Sequence, residues 1–158
     1  VKSTASENIQ FVFLGKSDPF SLEVQNLKTA LEENGLIHRV KLYDLFVSQE
    51  EFDAQLKQTD VLLPLVHPDT PSADQYFKNQ ISGAVNVGFG YNIPLLVHSV
   101  YQNVNELQKR ALFYDLNNFS DVISNCKPQL SSIVEWMKND SEMSTIVQEK
   151  RYLDFLTT

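Results

Sequence analysis

The residues of this chain best suited to chemistry fall within 60–97, DVLLPLVHPDTPSADQYFKNQISGAVNVGFGYNIPLLV. Two apolar runs flank a polar loop that holds His67, Asp69, Asp74, Tyr76 and Lys78. A Gly- and Ala-rich segment with helical spacing then opens on Ser82-Gly83, whose small side chains leave backbone N–H groups open to an anion. With Lys78 as the nearby cation, this pattern suits a phosphate group. Each residue also has a plain structural use. Lysines are solvated by default, and His67 is equally served by a hydrogen bond to a loop carbonyl. In the string DTPSAD, Asp69 and Asp74 are good turn formers. Tyr76, Phe77, Phe89 and Tyr91 fit core packing before they fit a ligand wall. His98 closes the second apolar run as His67 closes the first, whereas His38 reads as a surface residue at a strand start.

The elements that must position these groups follow from periodicity and capping signals. The β-branched and aromatic run 9–15 reads as a buried strand stopped by Gly15. Asp18-Pro19 predicts a helix start, with Phe20, Val24, Leu27 and Leu31 on one face and Gly35 as its stop. A strand over 38–43 follows. Ser48 and Glu51 form a capping box for a helix that buries Phe52 and Leu56. The strand predicted over 61–66 contains Pro64, which cannot donate to a ladder, so pairing either ends there or faces away. A helix over 81–91 carries three glycines, each costing about 1 kcal/mol relative to alanine, so a close approach of backbone or ligand is expected there. A strand over 94–97, a short helix over 104–110 and a strand over 111–114 come next. Asn118 caps a helix, and two more helices are expected after Pro128.

Strict alternation of strands and helices predicts an α/β fold: a Rossmann-like parallel sheet of about five strands with helices on both faces, and the C-terminal helices packing back. Residues 1–158 are expected to form one domain, and no repeat or linker is visible. In such a sheet ligands collect at the carboxyl ends of the strands, here 15–17, 43–47, 67–83 and 98–101.

Bulk properties narrow the partners. Thirteen Lys and Arg against 20 Asp and Glu give a net charge of −7, which disfavours a nucleic-acid duplex or an anionic membrane. Cys126 is the single cysteine, so there is no internal disulfide and a reducing, cytoplasmic setting is expected. No metal-ligand spacing, nucleophile elbow or G-x-G-x-x-G precedes a helix. No apolar run approaches the roughly 20 residues of a transmembrane helix. The chain opens on Val1, and a longer parent protein is expected.

The strings Arg39-Val40, Phe46-Val47, Glu51-Phe52, Asp60-Val61 and Asn92-Ile93-Pro94-Leu95-Leu96 resemble the C-terminal, donor-binding half of GT-B fold glycosyltransferases, in particular the group 1 (family 4) enzymes. The resemblance spans roughly residues 9 to 125, and its motifs are moderately specific, because Rossmann architecture alone supplies half of them. It implies a nucleotide-sugar donor such as a UDP- or GDP-sugar, no other cofactor and no metal. Base and ribose would lie over the loops at Gly15 and 43–47, with Tyr43 and Phe46, and the diphosphate on the helix start at Ser82 and Gly83; Lys16 and Lys78 are candidates for its cations, and His67 is a further donor-binding candidate at a strand end. An N-terminal acceptor-binding domain would be missing from this chain, and any peripheral membrane contact would come through that missing part. The pattern departs at two places. The paired glutamates of the family fall on Asn79 and Val87, and nothing in 1–8 matches its diphosphate-binding Arg and Lys. The alternative is a catalytically inactive Rossmann- or flavodoxin-like module for protein or nucleotide binding.

Overall fold

The computed structural model describes residues 9–70, 73, 75 and 82–140. The chain divides into two compact units, Val1–Gln58 and Thr59–Thr158.

In the first unit, β1 (Phe11–Lys16) pairs in parallel with β2 (Val40–Tyr43). The register slips between Val12 and Lys16, and the Ser17 N–H donates to the Tyr43 carbonyl at 2.7 Å. The connecting helix α1 (Leu22–Glu33) starts later than the Asp18-Pro19 signal predicts. Asp18 spends its carboxylate on the Phe20 N–H (3.0 Å) and its carbonyl on the Ser21 N–H, closing a turn ahead of the helix. Ser21 is then the N-cap and accepts from the Val24 N–H. Phe20 is therefore outside the helical face assigned to it, and it is 86% exposed. The predicted stop holds. Gly35 has φ +66°, its N–H bonds the Glu32 carbonyl, and the Leu36 N–H bonds the Leu31 carbonyl, which is the Schellman arrangement. A short 3-10 turn over Ile37–Arg39 replaces the start of the predicted second strand.

Helix α2 (Gln49–Lys57) keeps only half of its expected capping box. Ser48 accepts from the Glu51 N–H, but the Glu51 carboxylate turns toward β2, where it accepts from the Tyr43 hydroxyl (2.7 Å) and Lys41 Nζ (3.0 Å). A charge-assisted pair of donors outcompetes one backbone amide.

The second unit holds the main core. Strand β3 (Leu95–His98) pairs in parallel with β4 (Ala111–Tyr114). Leu95, Leu96 and Val97 are buried at 1% exposure or less, as a strand covered on both faces requires. On the other edge of β3 the predicted strand over 61–66 pairs only at Leu62, which donates to the Pro94 carbonyl and accepts from the Leu96 N–H, both at 2.9 Å. The next rung of this parallel register would need the amide of Pro64, which has none, and the ladder ends there. The described residues thus form two small parallel sheets, with segment 61–66 bridged to the second.

Helix α3 (Gly83–Gly90) packs Val85 and Phe89 on the core of Leu95, Val97, Leu107 and Ala111. Of its glycines only Gly88 meets a neighbour: a Cβ there would collide with Leu95 Cδ2 and lie 3.4 Å from the Ile93 carbonyl oxygen. Gly83 and Gly90 face open space, so close approach explains one glycine of three. The helix ends in a second Schellman arrangement, with Asn92 at φ +53° in the left-handed position and the Ile93 N–H on the Gly88 carbonyl. A short α4 (Asn105–Gln108) leads into β4.

After β4, α5 (Phe119–Asn139) is one helix running through Pro128, not a helix that breaks and restarts there. Side chains serve the carbonyls around the proline: Asn125 donates to Asp121, Cys126 to Ile123, Ser131 to Lys127 and Ser132 to Pro128. Leu130 and Met137 are its buried residues. Asn118 does not cap α5 with its side chain; it turns back to accept from the Asp115 N–H. The helices expected over 141–158 lie outside the described residues. No helix among the described residues is long and apolar enough to cross a membrane.

Candidate functional site

Three adjacent parallel segments of the second unit end in groups able to bind or transfer protons. His67 follows segment 61–66, His98 closes β3 and Tyr114 closes β4. Their rings form an edge-to-face row. His67 and His98 have centroids 4.6 Å apart, His98 and Tyr114 5.8 Å, and Tyr114 and Phe119 5.0 Å.

The same local device builds both histidines into their loops. The Asp69 N–H donates to His67 Nδ1, and the Val100 N–H donates to His98 Nδ1, each at 3.2 Å. An imidazole that accepts at Nδ1 while neutral carries its proton on Nε2. Both rings are therefore fixed as Nε2–H donors. His67 Nε2 is shielded from solvent and, among the described residues, has no hydrogen-bond partner. A buried donor left in that state costs about 1–3 kcal/mol. The Asp69 carboxylate lies 3.4 Å from His67 Nδ1 and competes with its own backbone N–H for that atom once the ring is charged. The third strand end is held similarly, with Asp115 Oδ1 accepting from the N–H groups of Asn117 and Asn118.

Burial, reinforced by His67, pushes the His98 imidazole below the ordinary histidine value. Burial also raises Tyr114, so its hydroxyl keeps its proton through neutral pH. The Cys126 thiol is likewise raised by burial, which keeps it a thiol rather than a nucleophilic thiolate.

Ser82 and Gly83 stand where a βαβ crossover places a helix start, at the carboxyl end of the strands. Ser82 is the N-cap without a side-chain cap bond, and Gly83 is exposed. The first amides of α3 have no partner inside the helix. Lys78 lies outside the described residues.

In the first unit, Gly15 and Lys16 end β1 and are exposed. Lys16 Nζ stands 5.8 Å from the ring centre of Phe46, which is itself 86% exposed. Tyr43 ends β2 with its hydroxyl committed to Glu51 and Lys41 Nζ 4.7 Å from its ring centre. The hydrogen bonds from Tyr43 and Lys41 hold Glu51 below the usual carboxylate value.

The structure thus joins Lys16 to Phe46, and His67 to His98 and Tyr114. Periodicity had placed Tyr114 in a strand without a role; its position at a strand carboxyl end was the signal available. Exposed apolar side chains include Phe20, Leu22, Leu45 and Phe46 in the first unit, and Leu65, Val100 and Leu116 in the second. Among the described residues no group of three or more His, Cys, Asp and Glu is arranged to hold a metal ion.

No protein-family model matches the chain, and no curated protein or solved structure matches it.

Proposed function

We propose that this chain is the donor-binding half of a nucleotide-sugar-dependent glycosyltransferase, a transferase built on a Rossmann-like parallel sheet of about five strands with helices on both faces. The observation that supports the reading is the meeting of His67 and His98 at the ends of adjacent parallel segments of the second unit, the unit that also holds the open helix start of α3. A planar base stacks well on an exposed ring such as Phe46. A diphosphate suits helix amides and the cation of Lys78. In the family string Gly-x-Pro, the glycine position falls on Asn92, whose φ of +53° is a left-handed conformation that glycine fills without strain. That agreement of sequence and backbone supports the resemblance.

In this reading the protein stabilises the departing nucleoside diphosphate, while the acceptor and any general base come from a second domain. The chain alone binds nucleotide with little or no turnover. Calorimetry or saturation-transfer NMR with UDP, GDP and their sugars tests it, and no binding of any nucleotide at millimolar concentration overturns it. Gly83→Trp sharpens the test, because Gly83 is exposed and a Cβ there meets nothing within 4 Å. Nucleotide binding should be lost in that variant.

A second reading, a catalytically inactive module of the same architecture, is favoured by Asn79 and Val87 standing where the family places glutamates. It predicts no functional effect of Gly83→Trp.

A further inference from the structure

We propose that His67 and His98 form an oxyanion site, in which each imidazole donates its Nε2–H to oxygen atoms of one phosphate or diphosphate group. The site itself is argued from geometry, and its assignment to a nucleotide's diphosphate rests on the donor-binding reading above.

Three observations converge on it. Both rings have Nδ1 occupied as an acceptor of a backbone N–H, so each presents a donor at Nε2. His67 Nε2 is a shielded donor with no acceptor among the described residues, and an oxygen brought to it supplies the missing bond. The ring as a whole keeps 21% of its side-chain surface exposed. The two imidazoles also belong to adjacent parallel segments and meet with centroids 4.6 Å apart, close enough for one anionic group to reach both. Neutral donors of this kind bind an anion without the desolvation cost of a buried cation.

The charges around the pair allow this. The Asp69 carboxylate sits beside Nδ1 of His67, on the ring edge away from Nε2. Asp115 faces His98 with Oδ1 already accepting two backbone N–H groups. Tyr114, the remaining titratable neighbour on β4, stays neutral.

The test is long-range 1H–15N NMR of the imidazoles in the full chain at pH 7.5, titrated with inorganic pyrophosphate and separately with UDP and GDP. His38 is an internal control, being exposed with its Nε2 accepting from Arg39 Nε. The expected result is a saturable shift of the Nε2 resonances of His67 and His98 with His38 unmoved. His67→Gln and His98→Gln should each weaken pyrophosphate binding by about tenfold or more. If UDP or GDP binds while both histidines stay silent, this proposal is overturned and the nucleotide reading stands. If pyrophosphate shifts the pair but neither nucleotide binds, the oxyanion site stands and the nucleotide reading falls. Equal shifts of all three histidines, or no binding of any probe at millimolar concentration, sink the site. The wild-type titration decides even where a glutamine variant fails to fold.

Discussion

Gly88 is the position at which two opposed effects can be weighed directly. Alanine is favoured over glycine in a helix by about 0.8–1 kcal/mol, so Gly88→Ala would stabilise α3 if local propensity governed. A Cβ on Gly88, however, collides with Leu95 Cδ2 and stands 3.3 Å from Leu95 Cγ. Leu95 is fully buried, with Leu62, Val85 and Phe89 packed against its cluster. Forcing an extra methyl into such a core costs typically 1–3 kcal/mol. The net expectation is a loss of about 1 kcal/mol, or roughly 2–4 °C in Tm for a chain of this size. Gly90 supplies the contrast on the same helix. Nothing lies within 4 Å of a Cβ there, so Gly90→Ala should be neutral or stabilising by up to about 1 kcal/mol. Urea titration followed by circular dichroism measures both, with the slope m checked for constancy. Equal or greater stability of Gly88→Ala would refute the argument, since Leu95 would then be free to move aside. Gly88→Ala combined with Leu95→Val should recover part of the loss, because the shortened side chain withdraws the colliding atom.

Arg110 is 4% exposed and pairs with Asp140 at 2.8 Å, with the rings of Phe89 and Trp136 centred 5.5 and 5.3 Å from its guanidinium. Asp140→Asn strands that cation and should cost about 3 kcal/mol, the lower end for a broken buried pair because two aromatic faces remain; a change below about 0.5 kcal/mol in urea titration would contradict it. Acidification supplies the third test. The folded pKa of His98 is depressed by burial and by His67, so the unfolded chain binds the proton more readily. Its contribution to stability is whole above the unfolded value near 6.5 and falls as pH drops from there toward the folded value. Denaturant midpoints taken from pH 7.5 to 5 should decline, and His98→Asn should flatten that decline; an unchanged profile in the variant removes His98 as the cause.

Much of the backbone was legible before any coordinates, because its signals act within a turn or two of chain. Gly35 stops α1 as its type and position foretold, and the strand over 111–114 falls where periodicity set it. Pro64 ends a ladder because it lacks a donor, whatever surrounds it. The errors were also local, and each came from a competing partner. Asp18 closed a turn instead of a cap, Glu51 chose Tyr43 and Lys41 over a backbone amide, and Pro128 was absorbed by a long helix whose amphipathic face packs on the fold.

What the sequence alone determined, then, is the alternation of strands and helices, the caps and turns, and the presence of histidines at the ends of two apolar runs. Only the tertiary structure decided which of these meet. His67 reaches His98, Gly88 lies under Leu95, and Arg110 finds Asp140 across 30 residues of chain. Such meetings depend on the register of parallel strands joined by crossovers. A one-residue slip of β3 would turn Leu95 and His98 to the opposite faces of the sheet, and no spacing within a short window specifies it.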